Sequence, residues 1–91
     1  MDVKTAVQIA KTYVSELFSG EQIRNIGLEE VEFDDQTKEW FVTVGFARSW
    51  DELSGLEKAV IGVRRSYKVV RMSNVDGHVI SVKDRRVAEA A

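Results

Sequence analysis

Apolar residues recur at Val3, Ala6, Val7, Ala10, Val14 and Leu17, the i, i+3, i+4, i+7 spacing of one helix face. Lys4, Thr5, Gln8, Lys11, Thr12, Ser15 and Glu16 fill the other side, while Ile9, Tyr13 and Phe18 widen the apolar stripe. Asp2 stands where an N-cap carboxylate accepts orphan amide protons, and Gly20 where a left-handed residue ends a helix. The spacing predicts a helix over residues 3–19, about 25 Å long.

Beyond it the period changes to two. In 25–33, Ile26 and Leu28 share one parity and Val31 and Phe33 the other. A regular strand cannot keep all four on one face, so the pattern predicts a bulge near Glu29-Glu30 or a late strand start. Asp34-Asp35-Gln36-Thr37 reads as a polar turn. Over 39–50, Trp40, Val42, Val44, Phe46 and Trp50 alternate with Phe41, Thr43, Gly45 and Ala47, with Gly45 a bending point. Residues 51–58 break the pattern and read as a loop. A strand over 60–73 follows, with Ile61, Val63, Tyr67 and Val69 on one face, and Val60, Val70 and Met72 on the other with Arg64 and Lys68. Asn74-Val75-Asp76-Gly77 predicts a hairpin turn into a last strand over 78–83, leaving a charged, alanine-rich tail at 84–91.

No crossover helix separates two strands, so the expected fold is α+β: one N-terminal helix packed on a curled four-stranded antiparallel sheet, α-β-β-β-β. At 91 residues the chain is expected to form a single domain over 1–91. One helix covers one sheet face. If that face carries Trp40, Val42, Val44 and Phe46, then Phe41, Ala47, Val70 and Met72 are expected on the other and need a second cover, which a homodimer would supply.

Composition changes this picture only in places. Cysteine is absent, which excludes disulfides, a thiolate nucleophile and thiolate metal sites and fits the cytosol. Met1-Asp2-Val3-Lys4 lacks the basic start and apolar run of a signal peptide, and no stretch approaches a membrane span. The expectation is a soluble, cytoplasmic protein without membrane contact. The net charge of −2 is unevenly spread: residues 1–63 hold six Lys/Arg and twelve Asp/Glu, residues 64–91 seven and three. Such a chain can pair with itself or steer a charged partner, unless antiparallel strands interleave the charges and cancel them.

The residue inventory offers little catalysis. His78, the only histidine, sits at a hairpin exit with no supporting triad context. Glu29, Glu30, Glu32, Asp34 and Asp35 lack the spacing of a metal loop and suit a solvated edge strand. No phosphate-binding glycine loop, dinucleotide fingerprint or zinc ligand set occurs. Neither cofactor, metal nor enzymatic activity is expected. Arg64, Arg65, Lys68, Arg71, Lys83, Arg85 and Arg86 surround Tyr67, a pattern compatible with single-stranded nucleic acid, though an isoelectric point of about 5.4 opposes it.

The helix with Ala6 and Ala10, then Trp40-Phe41-Val42-Thr43-Val44, Tyr67-Lys68-Val69-Val70 and Asp76-Gly77-His78-Val79-Ile80-Ser81-Val82, resembles PepSY-like domains. The resemblance implies a cystatin-like helix-on-sheet shape and a binding or peptidase-regulating role. The export signal usual for that setting is not seen here. The same elements are similar to gas-vesicle protein O, including the basic run Lys83-Asp84-Arg85-Arg86, though without its proline-bearing loop. The Gln-Val-Val-Ala-Gly hairpin of true cystatins has no counterpart.

The sequence reading is therefore a non-enzymatic protein-interaction or regulatory module. Its expected contact surface is Phe41, Tyr67, Met72 and the 51–58 loop, with Arg64, Arg65 and Arg71 as charged anchors, because aromatics and arginine dominate interfaces. A nucleic-acid-binding accessory protein and a small-ligand-binding or enzymatic cone are the alternatives.

Overall fold

A computed structural model describes residues 1–47 and 65–85. Helix α1 spans Val3–Leu17, and a meander of β1 (Arg24–Asp34), β2 (Glu39–Ala47), β3 (Ser66–Ser73) and β4 (Val79–Asp84) follows. The sheet is antiparallel throughout, in the order β1-β2-β3-β4. This is the α+β helix-on-sheet fold that the two periodicities predict. The expected 51–58 loop, Arg64, the outer ends of the 39–50 and 60–73 strands, and residues 86–91 lie outside the described residues.

Asp2 caps α1 as expected, its carboxylate accepting from the Thr5 N–H at 2.8 Å. That bond to the Thr5 amide holds the Asp2 carboxyl below the usual carboxylate range. The C-terminus differs from expectation. The α-helix stops at Leu17, Phe18 is its C-cap, and a 3-10 turn over Ser19–Glu21 follows. The left-handed residue is Gln22, with φ 49°, rather than Gly20. The Phe18 ring packs on Phe46, centroids 5.3 Å apart, and this anchoring fixes the last turn before the glycine is reached.

The core is one layer between helix and sheet. Ala6, Ala10 and Val14 from α1 meet Val42, Val44 and Phe46 of β2 and Val70 and Met72 of β3, all fully buried. Small alanines on the inner helix face let the backbone approach the sheet closely, and Ile23, Ile26, Val31, Val79 and Val82 close the margins.

The parity conflict in β1 is resolved by a bulge. Leu28 pairs with Val44 and Glu30 with Thr43, leaving Glu29 extra. The phase therefore shifts between Leu28 and Val31, and Ile26, Leu28, Val31 and Phe33 all stand on the helix side. A second extra residue lies between Arg24 and Gly27, where Asn25 takes φ 55°. A third irregularity was not expected. Arg71 pairs with Ser81 but Met72 with Val79, so Ile80 is displaced to 41% exposure while Val79 and Val82 both reach the core.

Two tight turns close the meander ends. Asp34 accepts from the Gln36 and Thr37 N–H groups at 2.9 and 3.3 Å, ordering the first. In the second, Gly77 takes φ 74° and its N–H donates to the Ser73 carbonyl at 2.9 Å. The two turns are tied together, since the Asn74 N–H donates to the Lys38 carbonyl at 3.0 Å and Trp40 Nε1–H to Asn74 Oδ1 at 2.8 Å.

Candidate functional site

The register settles which residues share the face turned away from α1. Trp40 pairs with Met72 and Val42 with Val70, so those even-numbered positions of both strands lie under the helix. Met72 is 0% exposed there and is not a contact residue; Val70, also fully buried, needs no second cover either. Both departures from expectation have one cause. The long connection between the strands left the pairing parity open, and parity alone decides the face.

Of the remaining expected contacts, Phe41, Tyr67 and Arg71 do share the outer face, and Arg65 reaches over it. Cross-strand rows organise this surface. One runs Glu32, Phe41, Arg71, Ser81; the next runs Glu30, Thr43, Val69, Lys83. Tyr67 pairs with Gly45 in a third, and its carbonyl accepts from the Arg85 N–H at 3.0 Å. Phe41, Tyr67 and Val69 are each half-buried, an apolar strip along the centre with charged residues on both sides.

The charges on this face pair across the sheet. Arg71 holds Glu39 in a two-pronged contact, Nε to Oε1 at 2.9 Å and Nη2 to Oε2 at 3.0 Å. This bond keeps the Glu39 carboxyl below its usual range and raises the Arg71 guanidinium further. Arg85 lies across the face to Glu30 and also reaches Thr43 Oγ1 at 3.3 Å. Arg65 sits 3.6 Å from Glu29 and donates to the Asn25 carbonyl at 2.9 Å. Glu29 and Arg65 both lie over Gly45, where a Cβ would meet Glu29 Oε2 at 2.6 Å and Arg65 Nη2 at 3.0 Å. Lys68, on the helix side, pairs with Asp84 and sits 5.3 Å from the Phe18 ring centroid.

The three outer-face pairings, Arg71–Glu39, Arg85–Glu30 and Arg65–Glu29, join acids of residues 1–63 to bases of residues 64–91, so the charge asymmetry along the chain was the available signal for them. Which acid meets which base could not be read, because each pairing depends on register. Glu32 on β1 and Lys83 on β4 make no ion pair among the described residues and stay exposed on opposite flanks.

Among the described residues, the face carries a shallow depression of about 350 Å3, floored by Phe41, Thr43 and Val69 and rimmed by Glu30, Glu32 and Arg85. A second, more apolar groove of about 430 Å3 runs between α1 and β1, lined by Val3, Val7, Leu28 and the stems of Lys4 and Gln8. His78 Nδ1 lies 2.6 Å from Asp76 at the exposed hairpin tip; the His78 amide and ring hold the Asp76 carboxyl below its usual range. Among the described residues, no group of three His, Cys, Asp or Glu is placed to hold a metal ion, and no helix is long and apolar enough to cross a membrane. No family model matches the chain, and no curated protein or solved structure matches it either.

Proposed function

We propose that the protein is a non-enzymatic interaction module that binds a protein partner through the outer face of its sheet. One observation carries this reading. The half-buried strip Phe41, Tyr67 and Val69 lies between an acidic flank on β1 and a basic flank on β3 and β4. An apolar centre with a polar, charged rim is the anatomy of a protein–protein contact, and tyrosine, phenylalanine and arginine are the residue types enriched there. A role in binding or regulation also agrees with the PepSY-like and cystatin-like resemblance.

The ion pairs argue against the nucleic-acid alternative. Arg65, Arg71 and Arg85 each face a glutamate, so three of the patch's cations that would neutralise phosphates are already engaged. A depression of about 350 Å3 open along the sheet also offers a small ligand little enclosure. The test is capture from a lysate of the cells that make the protein, with and without nuclease, using wild type, Arg65→Glu and Tyr67→Ala. The expected result is a stoichiometric protein partner that survives nuclease and is lost with both variants. Recovery of nucleic acid, or equal capture by the variants, overturns the reading.

A further inference from the structure

We infer that a second copy of the chain fits this face, docked sheet to sheet about a two-fold axis running parallel to the strands. The inference rests on the interaction-module reading and specifies its partner. The outer face carries a directional charge gradient. Glu30 and Glu32 stand on β1 at one edge; Lys83 stands on β4 at the other; Phe41, Val69 and Tyr67 lie between. Closed dimers apply the same patch to itself, so the patch must be self-complementary.

Two in-plane axes bring the outer faces together. An axis across the strands lays β1 on β1 and β4 on β4, opposing like charges. An axis along the strands lays β1 of one copy on β4 of the other and β2 on β3. Glu30 and Glu32 then meet the partner's Lys83 flank, and Phe41 faces the partner's Arg71, with Val69 one row along. Rotation about this axis leaves each cross-strand row over itself, so Glu30 faces the row that ends in Lys83. Glu32 lies one row away, about 7 Å along the strand, within reach of two long side chains. The charges therefore select the second arrangement, which is also the aligned packing of β-sandwiches.

Four strands about 4.8 Å apart and about eight residues long give a footprint of about 500 Å2 per copy. Two such faces bury about 1,000 Å2, the lower limit for a specific interface. The expected dimer is thus a reversible one, dissociating in the micromolar range and weakening as salt rises.

The test is sedimentation equilibrium of the purified chain from about 1 to 500 micromolar, for wild type, Glu32→Lys, Lys83→Glu and an equimolar mixture of the two variants. Matching circular dichroism and urea midpoints establish that each variant is folded. Wild type should shift from monomer to dimer mass across this range. Each variant should dissociate at least about tenfold more readily, because each places like charges together at two symmetric points. The mixture should recover to within about threefold of wild type, since each mixed contact again pairs Lys with Glu. Monomeric mass throughout overturns the second copy, while the Tyr67→Ala lysate comparison judges the module reading independently. A dimer indifferent to both charge reversals, or one abolished by Leu28→Asp alone, overturns this face in favour of the α1–β1 groove.

Discussion

Deleting Glu29 should be far better tolerated than deleting Glu32, although each deletion removes one glutamate from the same strand. β1 has one residue too many between Leu28 and Glu30, and that residue is Glu29. Without it, the Leu28–Val44 and Glu30–Thr43 pairs become consecutive steps of a regular ladder, and no side chain changes face. What is lost is the 3.6 Å contact to Arg65, a surface ion pair of about 0–1 kcal/mol.

Deleting Glu32 has another geometry. If the turn keeps Phe33 on Trp40, Val31 moves opposite Phe41 on the outer face, and Glu30 turns inward opposite Val42. The bulge is consumed in absorbing the change. Val31 forfeits a half-buried site, worth about 1 kcal/mol. The Glu30 carboxylate is pressed against fully buried Val42, a desolvation of several kcal/mol. The sum, on the order of 4 kcal/mol, is a large share of the roughly 5–14 kcal/mol expected for a chain of this size. Urea unfolding followed by tryptophan fluorescence and circular dichroism measures both. Removal of Glu29 should shift stability by about 1 kcal/mol or less, and removal of Glu32 by at least about 3 kcal/mol. Equal losses would refute the register argument.

Three further outcomes follow from the same structure. Met72→Ala, at a fully buried site under α1, should lose about 2–5 kcal/mol in urea unfolding; Phe41→Ala, on the outer face, should lose about 1 kcal/mol. Gly77→Ala should cost about 1–2 kcal/mol, from a left-handed φ and backbone constraint, with Ile9 Cδ1 only 2.9 Å from the added carbon. Gly45→Ala should stay within about 0.5–1 kcal/mol, because the crowding atoms are the movable ends of Glu29 and Arg65; thermal melts distinguish the two glycines. The Glu39 carboxyl titrates below its unfolded value because Arg71 hydrogen-bonds to it. Its contribution is therefore complete at neutral pH and fades as pH falls through the folded value. Melting midpoints of wild type and Glu39→Gln should differ at pH 7 and converge below about pH 4.

Much of the fold was legible because the strongest signals were local. The Asp2 cap, the 3.6-residue stripe and the two-residue alternation of β2 need no tertiary information. Even the Glu29 bulge was visible, since Ile26, Leu28, Val31 and Phe33 can share one face only if the phase shifts between them. The Ile80 irregularity was hidden: Val79, Ile80 and Val82 are all apolar, and only the core decides which of them is displaced. The candidate site was half legible for a related reason. Phe41, Tyr67 and Arg71 do share the outer face, whereas Met72 lies under α1 because a non-local register, unreadable from residue type, assigns its face.

Topology determines what becomes of the charge asymmetry along the chain. A meander keeps its strands in space in the order of the sequence, so an acidic first part and a basic last part become a gradient from the β1 edge to the β4 edge. Had β1 folded back beside β4, Glu30 and Glu32 would adjoin Lys83 in the monomer and the gradient would vanish. Arg65 and Arg85 can reach back across the sheet only to Glu29 and Glu30, near the end where β2 and β3 carry Gly45 and Tyr67. Glu32 and Lys83 are left on opposite flanks with the apolar strip between them. The internal ion pairs thus settle most of the charge locally, and the remainder gives the outer face a direction that a self-complementary partner must reverse.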